Sequence, residues 1–356
     1  MSMSQKATFA MFETMGGARV RRIPVEAFPD FWAYVYLVQK EQYRVLIDTG
    51  SGTDTSHENL LSGLKQARIE PSGLTHIFLT HAHIDHFGGL AKLHPLTSAK
   101  IGCHELDLQT VAHHEAHYAW VGRRIDSFLA QTGLADETRE QALSIFRFSK
   151  AIYQSVPVDC TFESLDMCHG PFEFLHLPGH CPGHVAIRLD DVVFCGDMVI
   201  QGVTPHLSPE WIHPYSGLDH YLDSLTQLEH WGKAARCFFN GHNAVITDLP
   251  AQIEATKQNI LRRMSKAVDA LHNPLTIAEV CRAVYGETGG YQQLLTIEKT
   301  GAYVEYLYER GMIVITNPGD VEQGQPARYQ RLWDQTQTIA ELEKKILRYT
   351  YIQEGI

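Results

Sequence analysis

The chain has 356 residues, 44% of them hydrophobic, which is enough for one large core and a smaller appended domain. A formal charge of -11 and a pI near 6.0 exclude a surface that attracts nucleic acid or anionic membrane as a whole, leaving only local basic patches. No stretch approaches the roughly 20 apolar residues of a membrane span, the first twelve residues lack the charged start and apolar run of a secretory signal, and the seven cysteines include no Cys-x-x-Cys pair, so a reducing, cytoplasmic location is expected.

From Val20 to about Leu249, short β-rich runs alternate with Gly, Pro and Asp turns and a few helical stretches. Strands are predicted over 33–39, 43–47, 77–80, 100–103, 172–177, 185–189, 192–195 and 236–239. Several are near-continuous apolar runs, as strands covered on both faces require. Between 105 and 158 the pattern changes to two long helical segments, parted at Thr132-Gly133 and with Asp136 as N-cap of the second, which reads as a helical insertion. Phe128, Leu129, Leu143, Ile145 and Phe146 are its packing residues, and Cys168-His169-Gly170 further on reads as an ordinary turn. After Pro250, Ile253, Ile260, Met264, Val268 and Leu271 recur at helix-face spacing. A short helix over 277–285, another over about 297–310 and a β-ribbon through 313–315 and 328–332 follow, an order that suggests a winged helix. A terminal helix carries Ile339, Leu342, Ile346 and Leu347 on one side. The expected division is a catalytic domain over 1–250 and a helical, winged-helix-like domain over 251–356.

The decisive segment is Thr80-His81-Ala82-His83-Ile84-Asp85-His86-Phe87-Gly88-Gly89, directly after the apolar run Ile77–Leu79. A strand ending in a tight loop can aim several side chains at one point, and imidazole nitrogen with carboxylate oxygen suits zinc and related divalent ions. A polar turn with solvent-facing histidines is the bland alternative. It leaves unexplained why Pro178-Gly179-His180-Cys181-Pro182-Gly183-His184, Cys195-Gly196-Asp197 and Asn240-Gly241-His242-Asn243 each end a further apolar run.

On these motifs the sequence resembles the metallo-β-lactamase fold superfamily over about residues 20 to 250, more closely its glyoxalase II and lactonase types than the antibiotic-hydrolysing enzymes. The resemblance implies an α/β fold, an αββα sandwich with a metal site along one edge. By carry-over, His81, His83 and His180 hold a first metal, Asp85, His86 and His242 a second, and Asp197 bridges them. The expected cofactors are two divalent ions, by default Zn2+, with Fe or Mn also admitted by the ligand set. They would act on an ester-type carbonyl substrate (thioester, ester or lactone) through a bridging hydroxide, which Asp85 would orient as the catalytic candidate. Asp48 and His184 are expected to hydrogen-bond around the ligands, and Cys181 departs from the Thr the family often has there. Antibiotic-hydrolysing relatives lack a bridging Asp, and redox-active diiron relatives replace the second His of the opening motif, so Asp197 and His83 together favour hydrolysis.

Other residues carry smaller expectations. His113, His114 and His117 do not make His-Glu-x-x-His and read as surface or pocket-wall groups. His206, Trp211, His213 and Tyr215 are candidate substrate contacts, on a loop expected to face the insertion, with its Tyr118, Trp120, Phe146 and Tyr153, across a largely apolar pocket. Arg123 and Arg124 would favour a nuclease if they pointed at the metals. That endoribonuclease or phosphodiesterase alternative is weakened by the second C-terminal helix, where residues 298–310 set Glu298, Glu305 and Glu309 against Lys299 and Arg310. Arg328 and Arg331 add charge on the ribbon, but Asp320 and Glu322 lie nearby. A small-molecule substrate, no membrane or nucleic-acid partner, and a structural or homodimerising C-terminal domain are expected. The basic and tyrosyl groups that hold glutathione in glyoxalase-type enzymes do not map onto this chain.

Overall fold

The computed structural model describes residues 9–347. A seven-stranded sheet runs in sequence order through β1 (Ala10–Glu13), β2 (Arg19–Phe28), β3 (Phe31–Lys40), β4 (Tyr43–Ile47), β5 (His76–Phe78), β6 (Lys100–Cys103) and β7 (Cys160–Thr161). A five-stranded sheet holds β8 (Cys168–His169), β9 (Phe172–His176), β10 (Val185–Leu189), β11 (Val192–Gly196) and β12 (Cys237–Asn240), again in sequence order. Helices α1 (Asp54–Gln66), α2 (Leu90–Leu93) and α3 (Leu108–Ala112) lie between strands of the first sheet. The insertion continues with α4 (His114–Gln131) and α5 (Asp136–Lys150), and α6 (Leu218–Trp231) separates β11 from β12. The chain then runs through α7 (Leu249–Ala270), α8 (Ile277–Tyr285), α9 (Gly290–Glu309), β13 (Ile313–Ile315), α10 (Pro318–Glu322), β14 (Tyr329–Arg331) and α11 (Gln335–Leu347).

Strand alternation explains the layers. On β3, Ala33, Val35 and Leu37 pack outward with Leu60 and Leu64 of α1, while Tyr34, Tyr36 and Val38 face Val185, Ile187, Phe194 and Phe239 of the other sheet. On β11, Val192 and Phe194 share that interior, while Val193 and Cys195 turn out toward Tyr221 and Leu225 of α6. Both faces of each sheet are thus buried, which is why the strand sequences are apolar runs. The result is the expected αββα sandwich with helical additions. The outer layer on the second sheet is thick: the insertion (Ile125, Phe128, Phe146), α7 (Ile260, Met264), α8 (Val280) and α9 (Tyr303, Leu307) belong to one continuous core with it.

Several local expectations need correction. β1 and the ten-residue β2 lie outside the predicted strands, because Arg19, Arg21, Arg22 and Pro24 look unlike a buried strand. Arg22 is nonetheless buried, its guanidinium 3.3 Å from the Tyr34 ring centroid and hydrogen-bonded to the Asn243 carbonyl. The strand predicted to reach Thr80 stops at Phe78, since Asp48 takes both the Thr80 N–H and its hydroxyl. Asp136 is the first residue of α5 rather than its cap, which is Ala135, and acts there through the helix dipole. Cys168 and His169 form β8, with His169 Nε2 3.0 Å from His76 Nε2. α9 begins at Gly290, seven residues before the prediction, because Gly289-Gly290 is itself the helix entry. Among the described residues no helix is long and apolar enough to cross a membrane.

Candidate metal centre

The ligand loops leave the carboxyl ends of neighbouring strands. Asp48 follows β4, the segment 80–86 follows β5, Asp197 follows β11 and the segment 240–243 follows β12, while His180 sits between β9 and β10. β4, β5 and β6 are parallel, as are β11 and β12, so their carboxyl ends collect at one edge of the sandwich.

There the seven expected ligands meet. Three overlapping groups could each hold an ion: His81, His83 and His180; His81, His86 and Asp197; and Asp85, His86 and His242. His81 Nε2 lies 3.1 Å from His83 Nδ1 and 3.3 Å from His180 Nε2. Asp197 offers Oδ1 3.4 Å from His86 Nε2 and Oδ2 3.0 Å from His242 Nε2 and 3.8 Å from His180 Nε2. Asp85 Oδ2 lies 3.3 Å from His242 Nε2 and 3.8 Å from His86 Nε2.

The outer nitrogens decide what the inner ones present. His180 Nδ1–H donates to the His206 carbonyl (2.7 Å), His242 Nδ1–H to the Trp32 carbonyl (2.8 Å) and His86 Nδ1–H to Asp48 Oδ2 (2.8 Å). Thr80 spends its hydroxyl proton on Asp48, so at 3.0 Å its oxygen accepts from His81 Nδ1–H. All four rings therefore aim Nε2 inward beside two carboxylates, with those of His81 and His180 3.3 Å apart. Two neutral imidazoles facing each other through Nε2, as His81 and His180 do, repel unless a cation lies between them, and about 3.3 Å is the edge expected between donors about 2.0–2.1 Å from a tetrahedral ion. His86 Nε2 and Asp197 Oδ1 are buried with no hydrogen-bond partner. The residues fit a metal.

Protonation points the same way. Burial, with the imidazoles of His86 and His83 adding, holds His81 far below its usual pKa, and burial brings His180 down to about 4, leaving both lone pairs free at neutral pH. Burial would also depress His86 and His242, but the Asp197 and Asp85 carboxylates overcome it and raise both. Burial opposes ionisation of Asp197, yet His242 and His86 pull it well below the ordinary carboxylate range. This half of the site wants positive charge.

Around the ligands, Asp48 sits at φ 62°, a left-handed conformation that Asp tolerates, and from there serves Thr80 and His86 together. His184 Nε2 accepts the Asp197 N–H at 3.1 Å. Asn240 Oδ1 accepts the N–H groups of His242 (3.0 Å) and Asn243 (2.6 Å). A Cβ at Gly241 would lie 2.3 Å from Asp197 Oδ1 and 2.6 Å from His86 Cε1, so only glycine leaves both groups in place.

Sequence reasoning missed Asp107. At 2% exposure it accepts the Ala82 N–H (2.8 Å) and the Gly183 N–H (3.0 Å), tying the two histidine loops together, with the Cys181 thiol 3.5 Å away. The usable signal was an acidic residue just beyond β6, at the same edge as the other loops.

Of the pocket candidates, His206 reaches the ligands, through its carbonyl and with its ring centroid 6.5 Å from that of His83. Trp211 packs edge-on against Phe128 at 6.0 Å and accepts a hydrogen bond from Arg124, so insertion and loop abut here as one surface instead of facing each other across a gap. Tyr215 lies 6.0 Å from His220, and the His213 N–H bonds the Pro209 carbonyl. Arg124 also covers Trp120, and Arg123 is exposed. Tyr153 packs beneath the ligand loop against Gly52 and Gly88. His114 is buried beside Phe87 and Tyr153, and none of His113, His114 and His117 joins a metal-holding group among the described residues.

Known proteins share this arrangement. An atrochrysone carboxyl ACP thioesterase from Claviceps purpurea is 24% identical over 264 residues, 71% of this chain and 66% of that protein. A hydroxyacylglutathione hydrolase from Shewanella loihica is 25% identical over 209 residues, 58% of this chain and 60% of that protein. The chain thus spans under two thirds of either relative's length. A metallo-beta-lactamase family protein from Thermus thermophilus has the same fold, with a TM-score of 0.68 at 24% identity over 88% of this chain and 98% of that one. A beta-lactamase domain protein from Burkholderia ambifaria gives 0.66 at 16% identity over 92% and 97%. The sandwich alone cannot reach such coverage, so the likeness in fold extends into the C-terminal helices. With residues 32–242 matching the profile of the Metallo-beta-lactamase superfamily, the chain belongs to that superfamily.

Proposed function

We propose that the chain hydrolyses an ester-type carbonyl substrate, a thioester, ester or lactone, with two divalent ions held by these seven side chains. The observation that carries the reading is the convergence of imidazole nitrogens and carboxylates from four loops on one edge of the sandwich. His81, His83 and His180 would hold one ion, Asp85, His86 and His242 the other, and Asp197 would touch both. Zinc suits this donor set, with iron or manganese as alternatives. When bound, such ions polarise a carbonyl oxygen and lower the pKa of a coordinated water. The chain's own groups do the rest. Asp85, the more exposed of the two inner carboxylates at 14% against 8% for Asp197, can accept a proton at its oxygens and orient water toward the substrate. Asp48 and the carbonyls of Trp32 and His206 hold the imidazoles in one tautomer.

The names of the two relatives, a thioesterase and a hydroxyacylglutathione hydrolase, put a thioester first among the three substrates. A small molecule is favoured over nucleic acid because Arg328 pairs with Glu279 at 3.0 Å, Arg124 is engaged by Trp211, and Ile297, Tyr303, Val304 and Leu307 of α9 are buried. The test is purified protein analysed for metal and assayed against an acyl thioester, a lactone, a phosphodiester and a short single-stranded RNA. Thioester turnover that a chelator removes, zinc restores and His83→Ala abolishes is the expected result. Preferential RNA cleavage, lost on replacing Arg328 and Arg331, would reverse the ranking.

A further inference from the structure

Helix α9 grips the segment between β11 and α6 from the C-terminal part of the chain. Glu298 Oε2 accepts a hydrogen bond from His206 Nε2 at 2.9 Å, Lys299 Nζ donates to the Thr204 carbonyl at 2.9 Å, and Glu305 accepts the Glu210 N–H at 2.9 Å. Glu298 and Glu305 are seven residues apart, two turns along one helical face. Glu298 is only 6% exposed, and a carboxylate so buried is costly unless paired. The side chain it pairs with is the imidazole of the residue whose carbonyl takes the His180 Nδ1–H at 2.7 Å.

This makes a continuous path of hydrogen bonds and one residue's covalent frame: Glu298 carboxylate, His206 ring, His206 carbonyl, His180 Nδ1, His180 Nε2. Residues 204–209 form neither helix nor strand, so no ladder of backbone bonds holds the His206 peptide in orientation. Rotation of that peptide would turn the carbonyl away from His180 and release the ring that aims Nε2 at the site.

We propose that Glu298 is a positioning residue for the metal centre, acting through His206 on His180, so that α9 is part of the active site and not a separate appendage. The proposal rests on reading the site as a metal centre. Outer hydrogen-bond partners of ligating histidines fix ring orientation and basicity, and their loss typically costs about 10–100-fold in metal affinity.

The experiment uses the full chain, stripped of metal and titrated with Zn2+ against a chromophoric chelator. Glu298→Ala is expected to weaken zinc binding by about 10-fold, the lower end of the loss for a direct partner because it acts one residue further out, whereas Glu298→Gln, which keeps an acceptor oxygen for His206 Nε2–H, recovers most of it. His206→Ala cuts the same path while leaving the carbonyl, and should weaken binding comparably. Combined with Glu298→Ala it should add little further loss, because the two changes interrupt one path. A residue serving stability alone would lower the Tm of the metal-free protein and leave zinc affinity unmoved. Wild-type affinity in Glu298→Ala overturns the proposal, and if that variant does not fold, wild-type affinity in His206→Ala overturns it equally. Failure of the unmodified protein to take up zinc would overturn the zinc centre itself and this role with it, which separates the two failures.

Discussion

At the scale of single residues, the site is an arrangement of lone pairs whose direction is set from behind. Asp197 shows how little tolerance this leaves: its two oxygens serve different histidines, His86 and His242. Asp197→Asn keeps the shape but removes the charge and turns one acceptor into a donor, so it is expected to lose activity on the order of 10²–10³-fold and to bind less metal by elemental analysis. Asp107 offers a prediction in pH. Burial raises its carboxyl from 3.8 to about 6 despite the N–H groups of Ala82 and Gly183. A carboxyl whose folded-state pKa is raised contributes stability fully below its unfolded value and loses it as pH rises through the folded value, here between about pH 4 and 6, a change of about 3 kcal/mol for two units. Asp107→Asn lacks that titration. In metal-free protein, urea unfolding should show the wild type's advantage over the variant to be greater at pH 4 than at pH 7. An advantage independent of pH would refute the buried-carboxyl account.

At the scale of elements, the insertion and the C-terminal helices are fitted to each other as closely as to the sandwich. α9 passes α4 at Gly301, where an added Cβ would lie 2.6 Å from Phe128 Cζ and 2.8 Å from Pro209 Cγ. Gly to Ala inside a helix ordinarily stabilises by about 1 kcal/mol. Phe128, only 1% exposed, has little room to yield, and overpacking of this kind costs about 1–3 kcal/mol. Gly301→Ala is therefore expected to destabilise on balance, read as a lower denaturant midpoint with an unchanged slope. A raised midpoint would mean that α4 and α9 can separate without loss.

At the scale of the whole molecule, both sheets deliver their loops to the edge proposed to hold metal, so on that reading metal binding and folding are linked. Without a cation, His81 and His180 keep lone pairs 3.3 Å apart and His86 Nε2 is buried without a hydrogen-bond partner. Chelation is expected to lower the Tm by several degrees and re-addition of zinc to restore it in a concentration-dependent way, since a ligand that binds only the folded state stabilises by mass action. Scanning calorimetry with and without chelator checks this.

What the sequence by itself determined is the part governed by local patterning. Apolar runs ending in His, Asp, Gly and Asn marked strands buried on both faces and named the loops from 81–86, 180, 197 and 242 that the fold then gathers at one edge. The apolar stripe of α7 and the span of α8 were legible for the same reason, as periodicity records which face is buried. Only the tertiary structure decided the rest. Arg22 became a strand residue because a ring and a carbonyl 12 and 221 positions away accept its guanidinium. Asp107 became a tie between histidine loops, and Glu298 a buried partner for His206, through contacts across 76 and 92 residues. A carboxylate on a helix reads as solvated until the chain brings a partner to it, and no local pattern encodes that partner.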